Sequence, residues 1–283
     1  MKTLRFVLCD VFSDVPLSGN QLAVFMNAQG LTSETMQALA REMHFSESTF
    51  VSGATDGGHF KLRIFTPERE VPFAGHPILG SAAVIGASVQ LDELRLETEA
   101  GIVPVRLERE GATVRYCSMQ QPLPRSRSFE REQELQAALG IEGSELPIVL
   151  SDNGIEHVLV AVASPEIVAT LHPALDTLGK LHAGTISVFA KSGDRIKTRV
   201  FAPGAGVPED PATGSAAGAL IAHLAQHGWV RYGDLTVIEQ GAELNRPSTI
   251  YATAEQSEGE LSKVVVGGSV VSVARGEFRL PLV

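Results

Sequence analysis

One stretch is written twice in this chain. Ile64 to Gly86 (IFTPEREVPFAGHPILGSAAVIG) and Val200 to His227 (VFAPGAGVPEDPATGSAAGALIAHLAQH) each begin as aliphatic-Phe-small-Pro, pass through a loop with Val-Pro in register, and reach a Gly that opens an Ala-rich run. Phe65 aligns with Phe201 and Pro67 with Pro203 at one spacing. Three further residues in the second loop then set Ala74-Gly75-His76 opposite Thr213-Gly214-Ser215. A chain that repeats a strand-loop-helix device is read as two similar halves. Its two helix N-termini are expected to face one shared cleft.

The length of 283 residues fits that division, since a single core of this size is uncommon and two domains of roughly 100 to 150 residues are the usual solution. Acidic residues outnumber basic ones 33 to 23, giving a net charge of −10. No Lys/Arg stripe interleaved with aromatics occurs, which argues against a nucleic-acid partner. Two cysteines, Cys9 and Cys117, make neither a zinc pattern nor a disulfide framework, so a reducing, cytoplasmic setting is expected. The N-terminal apolar run is broken at Asp10 and reads as a strand instead of a signal peptide, and no run reaches the ~20 residues of a membrane span.

Periodicity gives strands at Thr3–Val11, Leu22–Phe25, Phe45–Val51, His59–Phe65, Leu94–Thr98, Gly101–Leu107 and Thr113–Met119. A helix lies from about Leu31 to Met43, capped by Thr32 or Ser33, and another from about Pro77 to Ala87. Gln121–Arg131, rich in Pro, Arg and Ser, reads as a linker. The order then repeats: a helix at Glu130–Leu139, a strand at Pro147–Leu150, the turn Ser151-Asp152-Asn153-Gly154 matching Ser18-Gly19-Asn20, a strand at His157–Val162, and one helix over Pro165–Leu178. Strands at Ile186–Ala190, Lys197–Ala202, Leu235–Gln240, Ser248–Ala254, Lys263–Val266 and Val270–Ala274 complete it.

Four places could carry chemistry. A helix N-terminus leaves backbone N–H groups unpaired and about half a positive charge, so Gly75 and Gly214 could admit a carboxylate or phosphate; the plain alternative is a tight turn into a core helix. Asp210 is either an Asx-turn or N-cap carboxylate, or a group that orients His76 or a substrate amine. His76, at a helix start that disfavours imidazolium, is either structural or a neutral proton carrier. Glu47 lies in a strand-like segment between Phe45 and Phe50, where it is either an exposed edge residue or a partly buried base.

Other chemistries fail on spacing. His223 and His227 are four apart, but Leu224 occupies the place a zinc protease fills with Glu. Gly204-Ala205-Gly206 lacks the third Gly of a dinucleotide fingerprint, no Walker A loop occurs, and Gly214-Ser215 is not a nucleophile elbow.

Taken together, Asp10-Val11-Phe12 with Ser18-Gly19-Asn20, Phe45 through Val51, Phe73-Ala74-Gly75-His76-Pro77 and Gly206 through Ala216 resemble the phenazine-biosynthesis PhzF-like family. The resemblance implies an α+β chain of two pseudo-symmetric diaminopimelate-epimerase-like domains, each a curled, mostly antiparallel sheet around a central helix. The domains would comprise residues 1–120 with 272–283, and 121–271. It also implies catalytic roles for Glu47, His76, Asp210 and Ser215, with Glu47 as general acid/base, and substrate contacts at Ser46, Gly75, Thr213 and Gly214. No metal or organic cofactor is expected, and a homodimer is. Gln21 and Ile78 depart from the frequent Pro and Thr. Ala74 and Thr213 stand where two-thiol racemases of this fold place cysteines, which disfavours that chemistry. The reading is therefore a cofactor-independent isomerase of a small carboxylic acid bound between the domains. A non-catalytic carboxylate-binding protein, a two-base epimerase or racemase, and a hydrolase or lyase of a related acid are the rivals.

Overall fold

The computed structural model describes residues 2–280. Its first unit runs to Gln120 and resumes at Gly267; its second spans Gln121–Val266. In the first unit the chain passes through β1 (Lys2–Val11), β2 (Asn20–Phe25), α1 (Ser33–Met43), β3 (Glu47–Gly53), β4 (Phe60–Phe65), β5 (Glu70–Val71), α2 (Gly75–Gly86), β6 (Glu93–Thr98), β7 (Gly101–Glu110) and β8 (Thr113–Gln121). The second unit supplies β9 (Arg125–Ser128), α3 (Glu132–Leu139), β10 (Val149–Asp152), β11 (Glu156–Ala161), α4 (Pro165–Thr170) and α5 (Leu175–Leu181). It continues with β12 (Thr185–Ser192), β13 (Arg195–Ala202), β14 (Val207–Asp210), α6 (Gly214–Gln226), β15 (Thr236–Gln240), β16 (Ser248–Ser257) and the start of β17 (Glu260–Leu280).

Pairing follows one scheme in both units. In the first, β1 is antiparallel to β2, β2 parallel to β3, β3 antiparallel to β4, β4 antiparallel to β5 and parallel to β6, and β6 antiparallel to β7. Strands β10, β11, β12, β13, β14, β15 and β16 repeat that sequence of parallel and antiparallel partners. Each unit thus carries the curled, mostly antiparallel sheet and helix of the diaminopimelate-epimerase-like fold.

The central helices follow from composition. Every residue of α2 is buried, as is every residue of α6 from Gly214 to Ala225. A helix apolar on all sides is stable only when covered all round, and Ala and Gly let the strands approach. A Cβ at Gly80 would meet the Leu22 and Val11 side chains at 2.6 and 2.8 Å. A second core in the first unit packs Phe25, Phe50 and Phe65 with Met36 and Leu39 of α1, Phe25 stacking on Phe50 at 4.8 Å. Thr32 is the N-cap of α1, its Oγ1 accepting from Thr35 N at 3.3 Å.

Several expectations need correction. The single helix over Pro165–Leu178 is two, α4 and α5. Leu171 is extended (φ −60°, ψ 133°), and Pro173 keeps His172 out of helical geometry. Lys263–Val266 and Val270–Ala274 belong to one strand, β17. Gln121–Arg131 is no free linker, because Gln121 is buried and Arg125–Ser128 pairs with β10. The Pro loops each contain a short strand, β5 and β14, and Glu47 opens its strand instead of lying inside it.

Candidate active site

Glu47 begins β3, where it pairs with Leu22 of β2. The corresponding place in the second unit, at the start of β12, holds Thr185 opposite His157. Only one half therefore has a carboxylate there. The Glu47 side chain keeps 18% of its surface, and its Oε2 lies 3.5 Å from Nε2 of His76, the second residue of α2. This distance exceeds that of a good hydrogen bond. His76 Nε2 is buried and makes no hydrogen bond among the described residues.

Burial pushes the His76 imidazole down to about 3, against a smaller opposing pull from the Gln21 backbone, so the ring is neutral at physiological pH. Asn20, at the start of β2, places Nδ2 3.2 Å from His76 Nδ1. With Asn20 donating, the ring proton falls on Nε2, on the side of Glu47. Ser46, half-buried, immediately precedes Glu47.

The second unit gathers Asp210, Thr213, Gly214 and Ser215 at the entrance of α6. Asp210 is not the N-cap; Thr213 is. Thr213 Oγ1 donates to Asp210 Oδ2 at 2.6 Å, a bond between side chains. The neighbouring Glu209 is held elsewhere, by both arms of the buried Arg199 guanidinium at 2.8 Å. Neither helix entrance has a side-chain cap or an acidic residue in its first turn, so the positive ends of α2 and α6 are not neutralised from within their own first turns.

Amide side chains missed by residue-level reading hold these entrances. Asn153, the counterpart of Asn20, donates from Nδ2 to the Ser215 carbonyl at 2.9 Å and to Gln121 Oε1 at 3.2 Å. Gln121 Nε2 donates to the Gly214 carbonyl at 2.9 Å. Asn153 Oδ1 accepts from Nε2 of His157, and the Thr185 hydroxyl lies 2.6 Å from the other ring nitrogen. Burial, followed by the charge of His182, pushes His157 down to about 3. The match between Ser18-Gly19-Asn20 and Ser151-Asp152-Asn153 was the available signal. Among the described residues no three His, Cys, Asp or Glu cluster to hold a metal ion, and no helix is long and apolar enough to cross a membrane.

Comparison with known proteins bears on this arrangement. The family model described as phenazine biosynthesis-like protein matches residues 9–276. Over 276 residues the chain is 46% identical to the trans-2,3-dihydro-3-hydroxyanthranilate isomerase of Pseudomonas aeruginosa, covering 98% of this chain and 99% of that one. A crystal structure of a Bacillus anthracis phenazine biosynthesis protein of the PhzF family superposes with a TM-score of 0.87 at 26% identity, over 99% of this chain and 100% of that one. A hydroxyproline epimerase from Agrobacterium vitis, 12% identical, shares the fold at a TM-score of 0.67, over 97% and 92% of the two chains. Fold and relatives together define a small-molecule isomerase of the diaminopimelate-epimerase-like class. Within it, the chain belongs to the phenazine biosynthesis-like, PhzF-type family.

Proposed function

We propose that this isomerase moves a proton between carbons of a small carboxylic acid, with Glu47 as the acid/base. Trans-2,3-dihydro-3-hydroxyanthranilate is the proposed substrate. In this reading Glu47 takes a proton from one carbon and a proton returns to another, so the composition of the acid is unchanged. Neutral His76, Asp210 and Ser215 hold its polar substituents and relay protons. Ser46, Gly75, Thr213 and Gly214 shape the surroundings, and the uncapped helix entrances offer N–H groups to its carboxylate.

The observation that carries the reading is the Glu47–His76 pair. A half-buried carboxylate stands 3.5 Å from a neutral imidazole whose near nitrogen has no hydrogen bond among the described residues. A cationic histidine would tie the carboxylate up as an ion pair; a neutral one does not. The absence of a second carboxylate at Thr185, and Ala74 and Thr213 at the helix entrances, weigh against a symmetric two-base racemase. Identity of 46% to a named isomerase of this acid supports the choice of substrate.

Steady-state kinetics of Glu47→Gln tests the role. A positioned general base contributes about 10²- to 10⁴-fold, so kcat should fall by that factor while the circular dichroism and melting temperature stay near wild type. Full activity in that variant would remove Glu47 from the mechanism.

A further inference from the structure

Strand β15 ends at Gln240, a buried residue outside the roles assigned above. The hydrogen bonds of its amide fix which way it faces. Thr213 N–H can only donate, so the atom 3.1 Å from it is the carbonyl oxygen Oε1. Nε2 then lies 2.8 Å from the Asp210 backbone oxygen and 3.1 Å from Thr213 Oγ1, donating to both. Since the Thr213 hydroxyl accepts there, its single proton is left for Asp210 Oδ2, 2.6 Å away.

Direction therefore runs one way, from Gln240 through Thr213 to Asp210. A hydroxyl bond of that length onto a carboxylate oxygen is of the strong, charge-assisted kind. The backbone around it is pinned as well. The Ser248 hydroxyl shares its one proton between the Arg246 carbonyl at 2.9 Å and the Pro211 carbonyl at 3.2 Å, and Gly241, at φ +79°, passes where any Cβ would strike the same two carbonyls.

The geometry points to Gln240 as a positioning residue: through the Thr213 hydroxyl it holds the Asp210 carboxylate as an oriented acceptor for an amino or hydroxyl group of the substrate. This rests on the placement of Asp210 in the site proposed above. A rotated carboxylate would still sit in the site, but misplacement by about 1 Å can cost on the order of 100-fold in rate. The effect belongs in kcat more than in KM, because alignment matters most in the transition state.

The test uses Gln240→Leu, Thr213→Val, Thr213→Ser and the double variant Thr213→Val/Gln240→Leu, with crystal structures of each and kinetics on trans-2,3-dihydro-3-hydroxyanthranilate. Gln240→Leu and Thr213→Val should each lower kcat by about 10- to 100-fold with KM changed less than about threefold. Thr213→Ser, which keeps the hydroxyl, should recover to within about threefold of wild type. The double variant should be no worse than the poorer single one, since both cut the same chain. Multiplying losses, an unimpaired Thr213→Val, or losses that track the melting temperature would overturn the proposal. Wild type inactive on this acid would refute the proposed substrate, and the crystal structures then decide. An Asp210 carboxylate turned away in Gln240→Leu upholds the positioning role, and one left in place refutes it.

Discussion

His76 illustrates how far a side chain's chemistry is set by its neighbours. The residue type and its place after Gly75 were legible in the sequence; its neutrality and the direction of its ring proton come from burial and from Asn20. Glu47 was likewise visible as a carboxylate in an unusual place, while its 3.5 Å separation from His76 depends on the pairing of β2 with β3. Amides were the least legible: Asn20 and Asn153 showed only as matched turn residues, and Gln240 shows no pattern until its partners converge. Asn20→Leu should remove the donor to His76 Nδ1, worth about 1.4 kcal/mol, or tenfold in kcat. Kinetics with a melting control checks this; an unchanged kcat in a folded variant would deny Asn20 any hold on the ring.

At the scale of elements, the sequence repeat located both helix entrances in register. Gly75 and Gly214 are the first helical residues of α2 and α6. The errors lie at a glycine pair and at a proline. Gly267-Gly268 lies between the two strands read at Lys263–Val266 and Val270–Ala274, yet β17 runs through it, and the missing side chains make room for Tyr116 and the Phe12 ring. Pro173 was absorbed into a helical period and instead separates α4 from α5. Gly218 tests the account of α6. A Cβ there would collide with the Gln121 side-chain oxygen, so Gly218→Ala should force Gln121 off the Gly214 carbonyl and destabilise the chain by about 1 to 3 kcal/mol. Denaturant unfolding measures it; a variant as stable as wild type would contradict the close packing.

For the whole molecule, the duplicated pairing scheme carries different side chains in its two copies: Glu47 and His76 lie in the first unit, with Thr185 at the place in the second that corresponds to Glu47, and Asp210, Thr213 and Ser215 lie in the second. Both contain a buried neutral histidine, His76 and His157, pushed down to about 3, and desolvation lowers His223 to about 4. On unfolding each regains an ordinary value near 6.5. Below that pH the unfolded chain binds protons that the folded one refuses, so this contribution is present above 6.5 and is lost as pH falls. Each such group changes stability by about 1.4 kcal/mol per pH unit. Glu97, held near 2 first by the Thr55 backbone N–H and then by those of Asp56 and Gly58, acts in the same sense below 4.5. The melting temperature should therefore drop steeply between pH 6 and 4. A flat profile there would mean that these histidines titrate normally in the fold.

Proton NMR of trans-2,3-dihydro-3-hydroxyanthranilate in D₂O, with wild type and with Glu47→Gln, tests the central claim most directly. Rearrangement by wild type with solvent deuterium appearing on carbon, and its absence with a folded Glu47→Gln, is the predicted result. Deuterium incorporation that survives in Glu47→Gln would contradict Glu47 as the base. An acid left unchanged by wild type would contradict the substrate, while leaving the fold and family as they stand.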